Sequence, residues 1–176
     1  MRHAALLVIL LFPTVLSAQT TVSPEIFVRA GLVKLWDDEG NIGTGPSIGG
    51  GAAIRFPHGI AIEGFVERHT NARHFSSGVA FDSTAVGAVG RIVKYVGLSR
   101  TQPYFGGGVG VARIRTTSQF PGFPGTDRTT TSRTLSGFTG VRFDTGRRVF
   151  VRPEFEVLQA GEHLRFGGSV TAGFGW

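Results

Sequence analysis

Within residues 149–158 the chain alternates from 151 to 157: Val151, Pro153, Phe155 and Val157 fall on one parity, Arg152, Glu154 and Glu156 on the other. A period of two is the signature of a β-strand, whose successive side chains point to opposite faces. Here one face is fully apolar and the other carries three ionised groups in succession. Few folds accept such a strand. An arginine turned toward lipid near the middle of a bilayer costs about 2–4 kcal/mol and a carboxylate somewhat less. Three together would cancel much of the stability of a small domain. If the strand borders lipid, its charges must face an enclosed interior and its apolar side chains must face out.

The same pattern recurs along the chain. In 163–176, Leu164, Phe166, Gly168, Val170, Ala172, Phe174 and Trp176 share one parity, while the other holds polar or very small residues. In 60–69, Ile62, Gly64 and Val66 oppose Glu63, Phe65 and Glu67. In 25–36, Ile26, Val28, Ala30 and Leu32 oppose Arg29 and Gly31; in 45–56, Ile48, Ala52, Ile54 and Phe56 oppose Ser47, Gly49, Gly51 and Arg55. In 132–144, Leu135, Val141 and Phe143 oppose Ser136, Gly140 and Arg142. Segments 82–96 and 103–116 are rich in Val, Ile, Tyr and Phe, so they read as strands, but their two faces are not distinguishable. The chain therefore reads as eight strands. Its 27 glycines interrupt every candidate helix and suit the tight interior and strong bending of a narrow barrel.

The connectors fall at 37–44, 57–59, 70–81, 97–102, 117–131, 145–148 and 159–162. The second, fourth and sixth are short, with turn chemistry in Pro57-His58-Gly59 and Asp144-Thr145-Gly146-Arg147. The first, third and fifth are longer, and the seventh reads as a tight hairpin. Alternating short and long connections is the layout of an outer-membrane barrel, with tight periplasmic turns and larger outside loops. The fold class expected is thus all-β: an eight-stranded antiparallel up-and-down transmembrane barrel. Eight strands enclose only enough space for side chains to fill. Arg29, Glu63, Glu67, Arg142, Arg152, Glu154, Glu156 and Arg165 are expected to pair within that lumen, since buried charge is tolerated only when paired. Of 18 basic residues only Lys34 and Lys94 are lysines, and the arginine fork is the better buried partner for carboxylates. Aromatics gather at the turn-side strand ends, at Phe56, Tyr95, Tyr104, Phe143, Phe150 and Trp176. Of these, Phe56, Phe143 and Trp176 have the parity of an outward interfacial girdle.

Residues 1–18 read as a secretory signal peptide, cleaved after Ala18 or Ser17. A short positive start precedes an apolar run from Ala4 to Leu16 that is too brief to span a membrane, and small residues follow. Residues 19–176 then form the barrel domain. The chain has no cysteine, so neither a disulfide framework nor a lipoprotein anchor is expected.

The terminal segment from Phe166 to Trp176 and the penultimate Arg152-Pro153-Glu154-Phe155-Glu156 resemble the small eight-stranded outer-membrane barrels of Gram-negative bacteria, the OmpA/OmpX type, over essentially all of residues 19–176. The resemblance implies an outer-membrane location in a Gram-negative-type bacterium and a monomer in contact with outer-membrane lipids and lipopolysaccharide. It also implies an insertion signal at Phe166, Val170, Phe174 and Trp176, read by the barrel-assembly machinery. In that family the final residue is usually Phe, where this chain has Trp176. No peptidoglycan-binding domain is expected after it.

Candidate chemistry is sparse, and no cofactor or metal is expected. The histidines His3, His58, His69, His74 and His163 lack ligand spacing. His74-Phe75-Ser76 matches the spacing of outer-membrane lipid A deacylases, but Ser77 follows where that family has Asn, and the pair falls in an expected outside loop. His163, Ser169 and Glu154 read as a lumen hydrogen-bond network. Gly106-Gly107-Gly108-Val109-Gly110 sits within a strand pattern and is no phosphate loop. The charge of +6 forms no stripe, so nucleic acid is not an expected partner. Arg113, Arg115, Arg128 and Arg133 suit lipid phosphates, carboxylates or simply a solvated rim. Phe120 and Phe123, in a repeated Phe-Pro-Gly loop, are candidate contacts for a surface receptor or lipopolysaccharide, or for the barrel mouth itself. The reading is a non-enzymatic structural or surface-contact barrel. A lipid A-modifying barrel enzyme and a soluble periplasmic barrel with an apolar ligand, which would require an apolar lumen, are the alternatives.

Overall fold

A computed structural model of the chain describes residues 22–37, 40–97, 100–146, 148–161 and 163–176. The expected signal peptide, residues 1–18, lies outside them. The strands are β1 (Ser23–Asp37), β2 (Gly40–Phe56), β3 (Ile60–His74), β4 (Ala80–Tyr95), β5 (Thr101–Gln119), β6 (Thr126–Asp144), β7 (Val149–Ala160) and β8 (His163–Gly175). Each pairs antiparallel with the next, and β8 pairs with β1 from Glu25↔Gly175 to Trp36↔Leu164, which closes the barrel. Closure satisfies the backbone groups that an open sheet edge would leave bare, a requirement that hydrocarbon makes absolute.

Every parity readable in the sequence has the expected facing. Ile26, Val28 and Leu32 on β1, Ile48 on β2, Ile62 and Val66 on β3, Phe155 on β7 and Val170 on β8 are exposed on the outer wall. Arg29, Glu63, Glu67, Arg152, Glu154 and Glu156 are buried inside. The two unreadable strands resolve as well. β4 turns Ala85, Val89, Arg91, Val93 and Tyr95 inward, and β5 turns in Gln102, Tyr104, Ala112 and Ile114.

The connections differ from expectation at the long-loop end. Segments 70–81 and 117–131 are mostly strand: β3 runs to His74, β4 starts at Ala80, β5 runs to Gln119 and β6 starts at Thr126. Only 75–79 and 120–125 remain as loops. Threonines, among them Thr129, Thr130 and Thr131, continue the β5–β6 ladder as far as Ser118↔Thr126, because β-branched residues hold extended backbone even where both faces are wet. The length expected in loops is therefore carried by two rising hairpins. At the other end the turns are tight. In Pro57–Gly59, His58 adopts φ 66° and Gly59 φ 72°, a left-handed pair that lets β2 reverse into β3 within three residues.

Candidate functional site

Five arginines and five glutamates of the described residues are buried in the lumen: Arg29, Arg91, Arg142, Arg152 and Arg165 with Glu25, Glu63, Glu67, Glu154 and Glu156. Their formal charges cancel. They form three tiers. Nearest the tight turns, Arg142 pairs through Nη1 with Glu25 at 2.9 Å and through Nε with Asp144 at 2.8 Å, its guanidinium 4.0 Å from the Phe150 ring centre. In the middle tier Arg152 engages both oxygens of Glu63. Arg91 bridges Glu63 at 2.8 Å and Glu154 at 2.7 Å. Tyr104 donates its hydroxyl to Glu154 at 3.0 Å, and Arg152 donates to the Tyr95 hydroxyl oxygen at 2.8 Å. In the upper tier Arg29 reaches Glu67 at 3.1 Å and Glu156 at 3.2 Å, while Arg165 reaches Glu156 at 2.7 Å. Glu67 also accepts from Arg165. Forked arginine–carboxylate bonds of this kind offset the cost of removing both ions from water.

Aromatic rings fill the space between tiers. Arg91 lies 4.2 Å from the Phe138 ring centre and 4.9 Å from that of Phe65. Above the upper tier the lining becomes apolar, with Ala85, Val89, Ala112, Ile114, Leu158 and Ala160 around a chamber of about 30 Å³. That is space for about two waters. The lumen is plugged along its charged length.

The eight charged residues singled out in the sequence all meet in this network. Glu25 and Arg91 complete it, and the sequence reading missed both. Glu25 shares the parity of Arg29 and was legible. Arg91 was not, because its inward neighbours Gly87, Val89 and Val93 are as apolar as the outer face. The hydrogen-bond network expected for His163 does not form. Ser169 instead accepts from Arg29 at 3.0 Å, Glu154 lies with Arg91 and Tyr104, and His163 Nδ1 has no partner. Six residues of strand, about 20 Å, separate His163 from Ser169. Tyr95, Tyr104 and Phe150 belong to the lumen, whereas Phe56, Phe143 and Trp176 are exposed outside.

On β8, Val170 and Phe174 are exposed on the outer wall and Phe166 is half-buried there; Trp176, just beyond the strand, is exposed too, and its ring stacks on that of Phe174 at 6.3 Å. At the hairpin tips Phe120 packs edge-on against Phe81 at 5.9 Å, and Phe81 against Phe75 at 6.1 Å. Phe120 thus clamps the two tips together, and Phe123, 75% exposed, projects alone. Arg113 and Arg115 stand on the outward face of β5, not in a loop. Arg115 pairs with Asp127 at 2.5 Å; the hydrogen bond from that guanidinium holds the Asp127 carboxyl below its ordinary range. Arg128 is exposed on β6. Ser76 is exposed in the 75–79 loop, and the side chain of His74 lies outside those described. Among the described residues no cluster of three metal-ligating side chains forms.

No protein-family model matches this sequence, and a search of curated proteins finds no match. Solved structures do match. Ail, the attachment invasion locus protein of Yersinia pestis, in complex with the heparin analogue sucrose octasulfate, is 12% identical, with a TM-score of 0.65 covering 88% of this chain and 99% of that one. Neisserial surface protein A is 19% identical, with a TM-score of 0.60 over 86% and 95%. A major outer membrane protein from Thermus thermophilus is 9% identical, with a TM-score of 0.60 over 89% and 100%. The shared property is the fold, that of the small eight-stranded outer-membrane barrels.

Proposed function

We propose that this chain is a monomeric, non-catalytic barrel of a Gram-negative-type outer membrane, which strengthens the bilayer and presents its two tall hairpins for contact outside the cell. One observation carries the reading: on a single strand Arg152, Glu154 and Glu156 are buried while Phe155, between the two glutamates, is 51% exposed. Water would reverse that arrangement, and hydrocarbon requires it. The same facing speaks against a soluble barrel with an apolar lumen. The neutral plug supports a structural role over conduction. Phe166, Val170, Phe174 and Trp176 form the outward edge that the assembly machinery would read, and Phe123 and Arg128 are the side chains best placed to meet a surface partner or lipopolysaccharide. The catalytic alternative lacks support in geometry, because Ser76 stands in an exposed loop and Glu154 is buried among arginines in the middle tier.

Membrane fractionation combined with heat-modifiable gel mobility tests the proposal. The protein is expected in the outer-membrane fraction, extractable only with detergent, and faster on the gel before boiling than after it. Recovery of folded protein in detergent-free buffer overturns the membrane assignment. Altered lipid A acylation in a deletion strain, restored by the wild-type gene and lost with Ser76→Ala, overturns the non-catalytic one.

A further inference from the structure

Three arginines point outward from the barrel wall at the hairpin end of its apolar band. Across the strands one outward row reads Arg68 on β3, Val86 on β4, Arg113 on β5; the row beneath reads Val66, Ala88, Val111 and Arg133 on β3 to β6. Neighbouring strands lie about 4.8 Å apart, which sets Arg113 about 10 Å from Arg68 and about 8 Å from Arg133 along the wall, spacings that long arginine side chains can bridge through one phosphorylated headgroup. Arg68, Arg113 and Arg133 are exposed and make no hydrogen bond or ion pair among the described residues, whereas Arg115 just above them is paired. Among the described residues the opposite wall has no such set: β7 and β8 present Val157, Phe166 and Leu164 outward near the same end. Unpaired cations at the margin of an apolar band call for an anion supplied by the surroundings.

The wall beneath Arg133 is hollowed. A trough lined by Gly50, Gly64, Ala88, Gly90 and Val109 runs up to it, and Gly64 and Gly90 are direct cross-strand partners. The barrel itself does not require these glycines. A Cβ on Gly64 would meet nothing within 4 Å, and one on Gly90 only the Val109 carbonyl at 4.0 Å. Inward glycines differ sharply: a Cβ on Gly106 would lie 2.1 Å from the Ile92 carbonyl oxygen, and one on Gly173 2.2 Å from the Phe150 ring.

We propose that this face binds one phosphorylated lipid of the outer leaflet, a lipid A-type molecule, its phosphorylated headgroup on Arg68, Arg113 and Arg133 and one acyl chain lying in the trough over Gly64 and Gly90. The arginines cluster at the hairpin end, which selects a headgroup from that leaflet. The inference rests on the outer-membrane reading and names a lipid partner for it.

Native mass spectrometry of the detergent-solubilised full barrel tests it, with bisphosphorylated lipid A, its dephosphorylated form and phosphatidylglycerol as probes. One lipid A is expected to stay bound, with retention about tenfold or more weaker for the dephosphorylated form and for the Arg113→Gln/Arg133→Gln double variant. Gly64→Leu/Gly90→Leu is expected to weaken retention while preserving heat-modifiable mobility. If that variant fails to fold, the arginine variant and the dephosphorylated probe still decide the matter. Equal retention of all three lipids, unchanged retention in the arginine variant, or a second barrel copy seated on the trough would each overturn the proposal. A protein that fractionates and migrates as an outer-membrane barrel but retains no lipid A sinks this inference alone.

Discussion

The two faces of the barrel wall solve opposite problems with the same strands. Inside, space is scarce and charge abundant, so glycines such as Gly106 and Gly173 relieve a clash and each of the five buried arginines has a carboxylate. Outside, space is unlimited and charge nearly absent, so glycines such as Gly64 fill no steric need and cations such as Arg113 are left unpaired. The residue type alone does not reveal its task. Gly106 and Gly64 are chemically identical, yet one is imposed by the barrel and the other is not.

Substitutions that exchange the rules of the two faces test that contrast, each read by urea unfolding of the barrel refolded into phospholipid vesicles. The largest effect is expected inside. Glu63→Ala leaves Arg152 and Arg91 short of their shared carboxylate, at a cost of about 3–5 kcal/mol. Placing charge outside comes next, with Phe155→Arg costing about 2–4 kcal/mol. The paired glycine test is sharper though smaller. Gly106→Ala, forced against the Ile92 carbonyl and the Phe138 ring, costs about 1–3 kcal/mol, whereas Gly64→Ala stays within about 0.5 kcal/mol of wild type. Equal costs for the two would erase the distinction between the faces. A further effect lies beyond the wall. Phe120→Ala removes an aromatic contact worth about 0.5–1.5 kcal/mol and is expected to speed protease nicking at 120–125 without changing heat-modifiable mobility, whereas Phe123→Ala leaves the nicking rate unchanged.

The sequence disclosed the barrel wherever the lumen is charged. On β7, Arg152, Glu154 and Glu156 mark the inner face unmistakably, and on β3 Glu63 and Glu67 do the same. It was silent on β4 and β5, which border the apolar upper chamber with Ala85, Val89, Ala112 and Ile114 while showing Val86, Ile92, Val109 and Val111 to the outside. When both solvents of a strand are apolar, alternation carries no signal, and Arg91 was lost with it. The hairpin extensions were hidden for the opposite reason. In 117–118 and 126–131 both faces are polar, so these stretches read as loop although their backbone stays paired.

Apart from Arg165 with Glu156 and Arg142 with Asp144, the ion pairs across the lumen join residues 28 to 127 positions apart, from Arg91 with Glu63 to Arg29 with Glu156. Pairs that join distant strands, such as Arg142 with Glu25 and Arg29 with Glu156, can form only once those strands have come together, and in the extended polypeptide their charges remain hydrated. Sealing the cylinder brings these partners together. The plug is therefore complete only when the last strand is in place, because Arg165 on β8 and the Glu25 and Arg29 of β1 are among its members.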